Sequence, residues 1–122
     1  KNGFVDIIIT YLPLLLSYKK TNDILLSSSY LYSIGKMITM LIYFTPKNKT
    51  ELLTAIELYY NNRSKGLIKY GDICRWNTIN IVDMSYLFEN RIYFNESIND
   101  WIVHQVKNMT GMFIHARIFN QP

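Results

Sequence analysis

Cysteine is nearly absent from this chain of 122 residues: Cys74 stands alone, so no intrachain disulfide can form and the redox compartment stays open. Alanine occurs only at Ala55 and Ala116, while Ile, Asn, Lys and Tyr abound. That skew is the mark of an AT-rich coding sequence, and it weakens any functional reading of a single Asn or Lys. The local signatures of catalysis are missing too: there is no Gly-rich phosphate loop, no His-Glu-x-x-His and no Gly-x-Ser-x-Gly. His104 and His115 lack a Cys or carboxylate at metal-ligand spacing. Asp72, Asp83, Glu89, Glu96 and Asp100 are scattered along the chain. These absences predict a protein that is not an enzyme and that needs neither metal nor cofactor.

Charge of one sign is equally sparse where it would matter. Residues 1–49 carry six Lys and two Asp, whereas residues 50–122 carry seven basic and seven acidic groups. Arg75, Arg91, Lys107 and Arg117 do not cluster, and without a basic face to neutralise phosphates no nucleic-acid partner is expected. A membrane span is not expected either. The apolar run at residues 24–44 is interrupted by Lys36, which costs about 3 kcal/mol at the centre of a spanning helix. Its apolar residues Leu31, Ile34, Ile38, Leu41 and Ile42 fall at helical spacing, as in an amphipathic helix. Residues 4–18 lack the uninterrupted apolar stretch and small-residue site of a signal peptide, since Asp6 breaks them.

What the chain does contain is a repetition. Sliding residues 73–97 onto 98–122 aligns Ile73 with Ile98, Trp76 with Trp101, Met84 with Met109, Phe88 with Phe113, Phe94 with Phe119 and Asn95 with Asn120. Ile81/Val106, Asp83/Asn108, Ser85/Thr110, Leu87/Met112 and Glu96/Gln121 are conservative pairs at the same offset. Cys74 meets Asn99, so the thiol is not part of what is repeated. Apolar and amide positions are kept while polar ones vary, which points to a structural unit copied in tandem.

Within each copy, Ile98, Trp101, Val103 and Val106 have the spacing of an inward-facing strand and turn, and Ile73, Trp76, Thr78 and Ile81 fill the same slots. Met84, Leu87 and Phe88, like Met109, Met112 and Phe113, suggest a short helical return. The expected fold class is therefore an α/β solenoid of short parallel strands and short helical returns. A helical region precedes it. The expected divisions are a helical region at 1–44, a polar linker at 45–49, a capping helix and lead-in at 50–70, and two repeats at 71–122 that end on a cut. Thr50 is the candidate N-cap of that helix, whose apolar face is Leu52, Leu53, Ile56, Tyr59 and Tyr60, with a stop at Asn61-Asn62. A solenoid end exposes an open layer, which such a helix would close. Asn95 and Asn120 are expected to satisfy backbone groups at a bend. Asn48 and Asn62 are the conceivable glycosylation acceptors.

The pattern Ile-x-x-Trp, [Ile/Val]-x-[Asp/Asn]-Met-[Ser/Thr]-x-[Leu/Met]-Phe and Phe-Asn resembles the repeat of the BspA-like leucine-rich surface proteins. Residues 51–78 resemble the helix and Tyr-Gly-Asp-Ile lead-in of such arrays. The chain departs from the family pattern at Ile102-Val103-His104 and at Tyr59-Tyr60. The resemblance implies a non-enzymatic module for protein recognition or adhesion, at a surface or outside the cell. Residues 1–44 are similar to an F-box, which implies the alternative of an intracellular adaptor selecting a protein target through the repeats. On either reading the partner is a protein. Strand alternation would turn Arg75, Asn77, Ile79, Asp100, Ile102 and His104 to solvent on adjacent strands, and these six are the expected partner-binding residues. With two coils and an uncovered last layer, end-to-end self-association is also expected.

Overall fold

Two asparagines, Asn48 and Asn62, each start a helix in the described part of the molecule. The computed structural model describes residues 33–35 and 42–122, and the chain divides into two units, residues 1–42 and 43–122. The F-box-like reading and the amphipathic helix expected before Ile42 lie outside the described residues. Among those residues no helix is long and apolar enough to cross a membrane.

Helix α1 spans Lys49–Asn61. Its N-cap is Asn48, not Thr50: the Asn48 side chain accepts the Glu51 N–H at 3.0 Å, and Glu51 reaches back to the Lys47 N–H at 2.6 Å. This is a reciprocal cap of the kind that satisfies orphan donors at a helix start. Leu52, Ala55, Ile56 and Tyr59 form its buried stripe. Asn62 ends α1 and caps α2, Arg63–Tyr70, by accepting the Lys65 N–H at 3.1 Å. Both conceivable glycosylation acceptors thus use their amides as caps. Gly66 lets the two helices meet, for a Cβ there would lie 2.5 Å from the Tyr59 Cα.

Phe44 and the start of the polar linker expected at 45–49 take part in this packing. Phe44 lies against Tyr70 and Trp76 with ring centroids 4.5 and 5.2 Å apart, Pro46 is buried, and the Phe44 carbonyl accepts the Asn77 N–H at 2.9 Å. Helix α1 runs alongside the first repeat. Lys49 Nζ meets Asp83 (3.1 Å) and Ser85 (2.6 Å), Arg91 meets Glu57 (3.6 Å), and the Tyr93 N–H points at the Tyr60 hydroxyl (3.4 Å).

The second repeat lies against the first through a ladder of another kind than expected. The N–H groups of Met84, Tyr86, Phe88 and Asn90 donate to the carbonyls of Asn108, Thr110, Met112 and Ile114 at 2.8–3.0 Å. Tyr86 and Asn90 have φ of 59°, and their counterparts Gly111 and His115 have 61° and 59°. A left-handed residue at every fourth position breaks a would-be strand into turns, each closed by a bond such as Glu89 N–H to the Tyr86 carbonyl or its counterpart Ile114 to Gly111. The α/β solenoid of parallel strands is therefore overturned. Among the described residues there is no sheet, a single isolated parallel bridge joins Asp83 to Asn108, and the expected strand start is a 3₁₀ turn at Ile73–Arg75. The expected helical returns are turns as well.

Side chains at equivalent positions stack across the two repeats. Trp76 lies on Trp101 (6.3 Å, 16°), Phe88 on Phe113 (5.4 Å, 5°) and Phe94 on Phe119 (5.7 Å, 10°). Asp83 and Asn108 each accept the N–H two residues on, from Ser85 (2.8 Å) and Thr110 (3.0 Å), which explains why the pair is acidic or amide. Asn95 accepts the Asn120 N–H at 2.9 Å. Burial is one-sided: Met84 is fully buried whereas Met109, expected in the core, is 47% exposed. The N–H groups of Met109, Gly111, Phe113 and His115 make no hydrogen bond.

Trp101 is both stacked and bonded, its indole N–H donating to the Ile73 carbonyl at 2.8 Å. Trp101→Ala should cost about 3–5 kcal/mol, and Gly66→Ala should also destabilise by separating α1 from α2. Denaturant unfolding of the full chain checks both. A Trp101→Ala variant as stable as the parent would contradict this packing.

Candidate functional site

The end of α1, the start of α2 and the loop at residues 93–96 enclose a cleft of about 440 Å³, lined by Tyr59, Tyr60, Asn61, Arg63, Tyr93, Phe94 and Glu96. Its parts arrive by different routes. The helical stripe delivers Tyr59 and half-buries Tyr60 beside it. The Asn62 junction turns the chain so that Arg63 faces back over the Tyr59 ring, 5.6 Å from its centroid. The first repeat supplies Tyr93, Phe94 and Glu96, and Glu96 pairs with both terminal nitrogens of Arg63. Behind them Arg91 lies over the Tyr60 ring at 5.2 Å and against Glu57.

The electrostatics of the cleft are uneven. Tyr59 is almost wholly buried and its hydroxyl has no hydrogen-bond partner. Burial pushes the Tyr59 phenol above its ordinary value, and the Glu96 carboxylate adds to this. The Arg63 guanidinium is raised by Tyr59 and by its bond to Glu96. At the other end of α1, the Ser85 N–H and hydroxyl, with Lys49, hold the Asp83 carboxyl below the usual range. Burial and the Asp72 carboxylate push the Cys74 thiol up. Among the described residues no group of His, Cys, Asp and Glu is placed to hold a metal ion.

The six residues expected to bind a partner are not all exposed to solvent. Arg75, Asp100 and His104 are exposed and Ile102 is half-buried. Asn77 and Ile79, at 5% and 7% exposure, are buried. Phe44 and Pro46 explain this: the Asn77 N–H bonds the Phe44 carbonyl, the Asn77 side chain accepts the Ile79 N–H at 3.2 Å, and Asn80 reaches the Pro46 carbonyl at 3.4 Å. The expected pair of exposed isoleucines does not exist. The cleft residues, in turn, were not expected as a site. Tyr59 and Tyr60 read as helix core, and Glu96 read as half of a Glu/Gln repeat pair. The signal that could have found them is Tyr93, a large aromatic at a position where the second copy has Ile118, and it is 77% exposed.

A sequence model described as "Mycoplasma protein of unknown function, DUF285" matches residues 54–122. The chain belongs to this family. The matched residues hold most of α1, all of α2, both repeats and every residue of the cleft. Membership fits the resemblance to BspA-like surface proteins only at the level of family, brings no activity with it, and does not extend to the F-box-like segment. No curated protein and no solved structure matches the chain.

The Tyr59 hydroxyl gives a direct test of the cleft's interior. With the phenol raised above its ordinary value of 10.0 by burial, the fold keeps its full stability below pH about 10 and loses some of it as pH rises through the folded-state value. Tyr59→Phe should remove that alkaline loss and leave stability at neutral pH unchanged or higher by about 1 kcal/mol, because a buried donor without an acceptor disappears. Denaturant unfolding as a function of pH checks it, and a Tyr59→Phe variant destabilised at neutral pH would contradict it.

Proposed function

We infer that residues 43–122 form a non-enzymatic protein-recognition module that works at a surface, with the tyrosine cleft as its contact. The observation that supports this most is the composition of the cleft, where Tyr60, Tyr93, Arg63 and Glu96 gather around about 440 Å³ of open space. Tyr and Arg are the side chains that anchor protein interfaces, since each combines large apolar contact with polar ends. Tyr93 has no packing reason to be where it is. The resemblance to surface proteins supports the location, and the cleft offers no nucleophile beside a base.

End-to-end self-association has less support. Tail to tail, the free N–H groups at Met109, Gly111, Phe113 and His115 would face an identical row of donors, and head to tail they would meet α1 in place of carbonyls.

The reading is tested with the full-length protein on intact cells. Protease added outside should remove it from the cells that make it. Purified protein should bind a neighbouring cell surface saturably, and Tyr93→Ala should weaken that binding about tenfold with the melting temperature unchanged. An internal location, or binding indifferent to Tyr93→Ala, would overturn it.

A further inference from the structure

The chain places a cation of its own in the cleft. Arg63 meets Glu96 through both terminal nitrogens, the outer contact being 3.5 Å, with its guanidinium over the Tyr59 ring. Aromatic faces with a carboxylate at the edge make up the chemistry that holds a guanidinium, by cation–π attraction and paired hydrogen bonds. Arg63 nevertheless holds this place from the rim, with its side chain 56% exposed. The space in front of Tyr60 and Tyr93 is open. Arg91 is committed elsewhere, packed on Tyr60 and paired with Glu57, with its side chain only 18% exposed.

We propose that the cleft takes an arginine side chain of a partner protein, which displaces Arg63 from Glu96 and lies against the exposed Tyr93 ring. The proposal rests on the recognition reading and names what the cleft recognises. Arg63 is then an internal occupant that keeps Glu96 paired while no partner is present. An ion pair so exposed is weak, so its exchange for an incoming guanidinium is open to a ligand that also gains aromatic contact. Arginine suits the site better than lysine, because a planar fork can pair with the carboxylate and lie on a ring at once. An anionic ligand would instead find Arg63 already neutralised by Glu96 and would face Glu96 directly.

The test uses the full chain and three short peptides that differ at one position, carrying arginine, lysine or citrulline, the last having the arginine shape without its charge. Binding is read by chemical shifts of the tyrosine rings, up to millimolar peptide. The arginine peptide should bind most tightly, weaken as salt is raised, and be lost with Glu96→Gln. Arg63→Ala should tighten it about threefold, since the site is then no longer occupied for part of the time. Arg63 is exposed and Glu96 half-buried, and an unchanged melting temperature shows that the variants fold. Arg63→Gln provides a second variant with similar volume and no charge. Citrulline binding as well as arginine, or Arg63→Ala weakening the arginine peptide, would overturn the proposal. If no peptide binds while Tyr93→Ala still weakens attachment to cells, the arginine assignment falls and the recognition reading stands.

Discussion

The interaction on which the structure depends is the row of backbone bonds that Met84 to Asn90 of the first repeat donate to the second, flanked by return bonds from Lys107 to Val82 and from Ile118 to Ile92. Every second N–H from Met84 to Asn90 points forward to a carbonyl of the next repeat. That direction requires left-handed backbone at Tyr86 and Asn90, at about 1–2 kcal/mol for each such residue, and the bonds offset the strain. Once it is set, equivalent residues fall in line and the Trp and Phe rings stack. It also makes the two faces of the repeat pair chemically different: helix α1 lies along one, and unpaired donors border the other.

This organisation was legible in the sequence in part. The conserved Trp, Phe, Met and Asn positions mark which side chains meet, and Ile73, Trp76, Thr78 and Ile81 are buried as their spacing implies. The backbone path was hidden, because Tyr86/Gly111 and Asn90/His115 share a conformation without sharing a residue type. A Tyr gives no hint of positive φ, so the same spacing was read as strand and helical return. Asn77 and Ile79 mislead for another reason. Period-two alternation describes the local chain only, and it carries no information that Phe44 and Pro46 cover that face.

The cleft was illegible because its charges come from positions 33 residues apart, Arg63 and Glu96, brought together by a helix junction at Asn62 and by the way α1 lies along the first repeat. Neither residue is unusual on its own. The cleft therefore follows from packing: α1 supplies the aromatic floor, α2 the cation and the first repeat the carboxylate. The same helix that covers the first repeat builds the candidate contact, so stability and the proposed recognition share Tyr59.

Amide hydrogen exchange resolved by residue tests the central claim most directly. The account predicts strong protection for Met84, Tyr86, Phe88 and Asn90, whose N–H groups are bonded to the second repeat, and fast exchange for the equivalent Met109, Gly111, Phe113 and His115. Equal protection of the two rows, or fast exchange of both, would contradict it.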